Sequence, residues 1–155
     1  MQTIEYRTLD KTNWGAGPWQ DEPDKIQYED ADTGLPCLIT RSPHMGNLCG
    51  YVGIAEGHPF FGVEYTDIDL VAHGDVNFSS FCQTDGSEAQ RVCHVPGPGE
   101  PDRVWWFGFD CAHAGSDMMP AIPTPRHWGT YRDLPYVREQ IKSLAAQLLR
   151  AEMKA

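Results

Sequence analysis

The sequence predicts an α+β fold in which an irregular, mainly antiparallel sheet is covered by a C-terminal helix. Two observations carry this expectation. Short extended runs punctuated by glycine and proline occupy the chain as far as Asp110, and an apolar stripe at helical spacing begins near Leu134. A third observation is that composition does not break along the 155 residues, so residues 1–155 read as a single globular domain long enough to bury a substantial core. A small barrel is the alternative arrangement of the same strands.

The elements follow in order. Trp14-Gly15-Ala16-Gly17-Pro18-Trp19 is a permissive bend carrying two large aromatic rings, read first as an arm whose tryptophans cover the core. Lys25 to Asp30 is a short strand, and Asp32-Thr33-Gly34 turns the chain into a second one at Leu35 to Thr40, with Pro36 near an edge or a strand start. Asn47 to Ile54 is a third strand, in which Gly50 and Gly53 allow a bulge or close packing. The pattern stays mainly β through Phe60 to Tyr65, and it is ambiguous between strand and short helix at Asp75 to Cys82. Residues 83–90 read as a polar connection, and Pro96 to Asp102 as a shaped loop.

Val104 to Phe109 is the most apolar strand, with Trp105, Phe107 and Phe109 on one face and Trp106, Gly108 and Asp110 on the other. It runs directly into Asp110-Cys111-Ala112-His113-Ala114-Gly115-Ser116-Asp117, which places carboxylate, thiol and imidazole at the rim of a core. Asp110 and His113 cooperate only if the chain bends after Phe109, and Gly115 makes room for Asp117 to return toward His113. Leu134-Pro135 then opens a helix whose Val137, Ile141, Leu144, Leu148 and Leu149 face the sheet.

Twelve Lys and Arg against 22 Asp and Glu give a formal charge of -10, a field that repels extended nucleic acid. Arg126, His127, Arg132, Arg138, Lys142 and Arg150 are separated charges without a basic arm. No apolar run is long enough to cross a bilayer, and the first residues lack a secretory signal, so the expected location is cytoplasmic and no membrane partner is expected. The five cysteines are accordingly expected to be reduced, with a Cys82 to Cys93 bridge as the form under oxidation.

Several candidate sites follow from residue chemistry. His73, Asp110, His113 and Asp117 are the candidate catalytic groups, and His73, His94, Asp110 and His113 the candidate metal ligands, with zinc as the candidate ion. A thiol hydrolase built on Cys82, Cys93 or Cys111, with His73 or His113 as base, is a weaker arrangement because several combinations serve equally. A recognition site would use Trp14, Trp19, Trp105 and Trp106 to stack a planar group, with Glu100 and Arg103 as polar contacts. P-loop, dinucleotide-glycine and His-Glu-x-x-His patterns do not occur.

Trp14-Gly15-x-Gly17-Pro18-Trp19, Leu48-Cys49-Gly50-Tyr51-Val52-Gly53, His58-Pro59, Cys93-His94-Val95-Pro96-x-Pro98-Gly99-Glu100 and Trp105-Trp106-Phe107-Gly108-Phe109-Asp110-Cys111-Ala112-His113 together resemble a small uncharacterised family of bacterial and phage proteins. The resemblance implies a phage-associated accessory protein and brings no catalytic assignment. The leading functional expectation is recognition of a small polar or nucleotide ligand or of a host protein. Metal-assisted hydrolysis of a phosphoester or amide is the alternative.

Overall fold

A computed structural model describes residues 1–123 and 129–155; Arg126 and His127 of the basic series lie outside the described residues. Six strands form one antiparallel sheet: β1 (Ile4–Tyr6), β2 (Lys25–Glu29), β3 (Pro36–Arg41), β4 (Leu48–Ala55), β5 (Phe78–Phe81) and β6 (Val104–Asp110). Their spatial order is β1-β2-β3-β4-β6-β5, with β1 and β5 as the two edges, so the sheet is open. One long helix, α1 (Leu134–Lys154), packs on β4. The predicted α+β class is the observed one.

Strand alternation sorts the side chains to two faces. Ile39, Val52, Ile54, Trp105, Phe107 and Phe109 meet Val137, Ile141, Leu144, Ala145 and Leu148 of α1 in the main core. Leu38, Tyr51, Val92, Val104 and Trp106 form a smaller cluster on the other face, under the loop that precedes β6. Trp14 and Trp19 are buried, Trp19 edge-on to Tyr131 with ring centroids 5.1 Å apart, outside both hydrophobic clusters.

The ladder between β4 and β6 pairs small with large: Gly50 opposite Phe109, Tyr51 opposite Gly108, and Gly53 opposite Trp106. A β-carbon on Gly50, Gly53 or Gly108 would overlap the aromatic ring that lies across it. The glycines therefore serve close packing between paired strands, with the rings covering the exposed backbone.

Two differences from the sequence pattern have physical causes. Phe60 to Gly62 is turn, followed by irregular chain and a 3-10 turn at Tyr65–Asp67, because Gly62 takes a left-handed φ of 77° and Pro59 follows a turn closed by His58 N–H donating to the Ala55 carbonyl at 3.2 Å. β1, which has no strong apolar alternation, is a strand because its backbone pairs with β2 from Ile4 opposite Gln27 to Tyr6 opposite Lys25.

The helix begins as the sequence suggests. The Asp133 side chain accepts from Tyr136 N–H at 3.1 Å, and Pro135 sits in the first turn. Glu22 adds a second anchor by accepting from Leu134 N–H at 2.7 Å and from the Tyr131 hydroxyl at 2.5 Å. Arg41, buried, joins Glu22 to Asp24, and Lys11 contributes a further ion pair to Asp24 at 2.7 Å. This buried network fixes the chain that enters α1, including Arg132.

Candidate metal centre

Asp117 is the hub of a polar cluster at one end of the sheet. After β6 the chain turns through Gly115, whose φ is 84°, and Asp117 N–H donates to the His113 carbonyl at 2.9 Å. The Asp117 carboxylate in return accepts from His113 N–H at 3.0 Å and from His113 Nδ1 at 2.9 Å. A parallel bridge to Thr130, with Met118 N–H donating to the Thr130 carbonyl at 2.9 Å, then holds Asp117 in place.

His73 arrives on the separate loop between β4 and β5. Its Nε2 lies 2.9 Å from both Asp117 oxygens, and its Nδ1 lies 2.6 Å from the Tyr136 hydroxyl on the first turn of α1. Gln147 grips the same loop by accepting from Val71 N–H at 2.8 Å and donating to the Val71 carbonyl at 2.7 Å. Gly74 and Asp75 both have positive φ, 64° and 86°, which turns the chain sharply beyond His73. A β-carbon at Gly74 would fall inside the His113 ring, so glycine is needed there for space as well as for φ.

The Asp117 side chain is fully buried, His73 nearly so, and His113 about one third exposed. Burial by itself would raise the Asp117 carboxyl, but donors from His73, His113 N–H, Arg132 and the His113 ring outweigh it and hold it at about 2. Arg132 donates from Nε to Asp117 Oδ1 at 2.9 Å and lies over the Tyr136 ring. With Asp117 ionised, the simplest assignment of protons has His73 donating from Nε2 while Nδ1 accepts from Tyr136, and His113 donating from Nδ1. His113 Nε2 then faces Asp110 at 3.5 Å.

Donor atoms of His73, His113 and Asp117 all lie within 4.8 Å of one another. Ligands of a four-coordinate zinc with bonds near 2.1 Å are roughly 3.4 Å apart, so small side-chain shifts bring these three into a ligand shell. The second nitrogen of each imidazole faces an outer partner, Tyr136 or Asp110; with a cation at His73 Nε2 and His113 Nδ1 the ring protons would sit on the outer nitrogens and donate to those partners. A cleft of about 530 Å³ lined by Tyr65, Ile68, Asp69, Leu70, Val71 and Asp75 flanks the loop that carries His73.

The structure thus brings together His73, His113 and Asp117, with Asp110 outside them as a partner of His113. It does not bring His94 to them. His94 packs edge-on to Trp106 at 5.5 Å, on the sheet face opposite α1, and forms a second group with Cys82 and Cys93. Those two cysteines are joined as a disulfide rather than reduced.

The thiol arrangement is not assembled either. Cys111 is 1% exposed, and burial pushes its thiol far above the ordinary range.

Trp105 and Trp106 are buried on opposite faces of the sheet, and Trp14 and Trp19 are buried as well, so the four rings make no common stacking surface. Glu100 is paired with the N-terminal amine at 2.6 Å, and the exposed Arg103 lies over the Phe61 and Phe81 rings.

Arg132 and Tyr136 are the residues that sequence reasoning left out of the site. Arg132 reads as one of several separated charges, and Tyr136 as a residue of the helix start. The only signal pointing to them is the helix opening itself, which turns the end of the 129–133 segment toward Asp117. No family profile, curated protein or solved structure matches the chain.

Proposed function

We propose that the protein is a metal-assisted hydrolase whose centre is His73, His113 and Asp117. The observation that supports this reading is the convergence, from two separate loops, of two imidazoles on one buried carboxylate, each imidazole backed by an outer partner. Two histidines and one carboxylate are a ligand set that leaves a coordination position open, which distinguishes it from the closed shells of structural zinc sites. A divalent ion bound there supplies Lewis acidity toward water and toward a phosphoryl or carbonyl oxygen.

The remaining chemistry belongs to the chain. Asp117 would hold the cation through its carboxylate, whose orientation is kept by the Arg132 Nε donating to Oδ1. Tyr136 fixes the ring of His73. Asp110, half-exposed beside His113 Nε2, is placed to take up or return a proton at the mouth of the site. The substrate class that fits is a phosphoester or an amide. Recognition without chemistry draws less support, because the aromatic rings it needs are inside the core.

The test uses the oxidised protein stripped with a chelator and titrated with Zn²⁺ while turnover is followed on aryl phosphoesters and aryl amides. One equivalent of tightly held zinc and zinc-dependent turnover are expected, both lost in a folded His113→Ala variant. A folded wild-type protein that binds no zinc would overturn the reading. Zinc bound without turnover of either substrate class would overturn the hydrolase part and favour recognition.

A further inference from the structure

The second group of metal-binding side chains lies on the other face of the sheet and is independent of the first. Cys82 at the end of β5 is joined to Cys93, and Cys82 Sγ lies 3.8 Å from His94 Nδ1. The Trp106 indole N–H donates to the same sulfur at 3.4 Å. Donor atoms of Cys82, Cys93 and His94 are all within 4.8 Å of one another.

The disulfide is not the only thing that closes this loop. Lys25, 1% exposed, donates from its ammonium to the Glu88, Arg91 and Cys93 carbonyls at 2.5, 2.9 and 2.8 Å. Gln83 holds Val92 twice, by N–H to its carbonyl at 2.9 Å and by accepting its N–H at the side chain, also at 2.9 Å. Gln27 accepts from Val95 N–H at 2.8 Å. These bonds run through both ends of the 83–93 connection and through the residue next to His94. Cutting the sulfur–sulfur bond therefore leaves two thiols beside an imidazole, held by contacts that do not involve sulfur.

We propose that Cys82, Cys93 and His94 form a redox-gated site for a soft divalent cation such as zinc, in which the disulfide and the metal are alternative occupants of the same two sulfurs. A dithiol reductant delivers two electrons and two protons to the sulfur–sulfur bond and leaves as its own disulfide. The cation then displaces both thiol protons to solvent and binds two thiolates and the imidazole. Two thiolates with one histidine form a recognised three-ligand zinc set with a free fourth position. The indole N–H on Cys82 favours its thiolate form. A cavity of about 270 Å³ lined by Phe81, Cys82, Asp102, Arg103 and Val104 gives a path to Cys82.

The experiment compares the oxidised full chain with the chain reduced by a dithiol and desalted without oxygen, both titrated with Co²⁺ and then with Zn²⁺. Thiolate-to-cobalt charge-transfer absorption in the near ultraviolet reports sulfur ligation and is blind to the His73, His113 and Asp117 centre, which has no sulfur. The expected result is one additional equivalent of cobalt on reduction, with the charge-transfer band, displaced by zinc. The band should persist in Asp117→Asn and be lost in Cys93→Ser and in His94→Ala. Reduced wild-type protein without the band, reduced protein that loses its circular dichroism, or a band unchanged in folded Cys93→Ser would each overturn the proposal.

Discussion

Replacing Asp117 by Asn tests the hub directly, because the change keeps the shape of the side chain and removes its charge. The carboxylate accepts at Oδ2 from His73, His113 N–H and the His113 ring, and at Oδ1 from His73 and Arg132. The better orientation of the amide puts its oxygen where three donors converge and its NH₂ toward Arg132. One charge-assisted bond is then lost and the others become neutral ones. Arg132, with 23% of its side chain exposed, can turn to water, which limits the damage. A hydrogen bond to a charged group contributes about 1.5–3 kcal/mol, so the net loss should be about 3 kcal/mol. For a chain of this length that corresponds to a fall in Tm of about 6–12 °C. Urea unfolding and thermal melts of chelator-treated protein give the number. A loss under about 1 kcal/mol would refute the assignment of Asp117 as the residue that holds the two loops together.

Three further outcomes are expected. Gly74→Ala places a methyl group in the His113 ring at a φ of 64°, whereas Gly115→Ala meets open space at a φ of 84°. Gly74→Ala should therefore cost more than the roughly 1 kcal/mol of left-handed strain shared by both, and it should weaken metal binding at the first centre in a calorimetric titration. Ile141→Ala, in the middle of the buried stripe of α1, should cost about 2–5 kcal/mol in denaturant unfolding. Asp24 supplies a pH dependence: burial would raise its carboxyl, but Lys11 and the N–H groups of Leu9 and Thr8 outweigh burial and hold it below its ordinary 3.8. Its stabilising contribution is complete above about pH 3.8 and disappears as pH falls through the depressed folded-state value. Acid unfolding of Asp24→Asn should accordingly show a flatter pH profile than the parent.

Much of this architecture is legible in the residues. The alternation in Val104 to Phe109 assigns each ring to its face, and the stripe from Val137 to Leu148 marks the buried side of α1. Gly115 and Asp117 suggest the return toward His113 that the structure makes. His73 is visible only as a histidine at a glycine turn, because its partner lies 44 positions away and no local spacing encodes the pair. For the same reason His94 looked interchangeable with His73 and His113, although the sheet separates them. The count of five cysteines speaks only to the average environment and favours reduced thiols, whereas Cys82 and Cys93 are joined. The pairing depends on how Lys25 and Gln83 bend the connection between them. Lys25 itself, a lysine buried to satisfy three carbonyls, has no signature in a strand of ordinary composition.

The β4 to β6 ladder also bears on how the molecule is made. Residues 56–103 lie between these two strands in sequence, so β6 joins the sheet only after that whole stretch has been gathered in. Pairings this distant in sequence slow folding. His73 sits inside the gathered stretch, Asp117 beyond it, and Tyr136 later still. The three meet only when the chain has reached its final connectivity, so a nascent or partly paired chain has no cluster for a cation to seize. A cation that binds at Asp117 would draw the population toward the finished topology by mass action and leave earlier intermediates untouched.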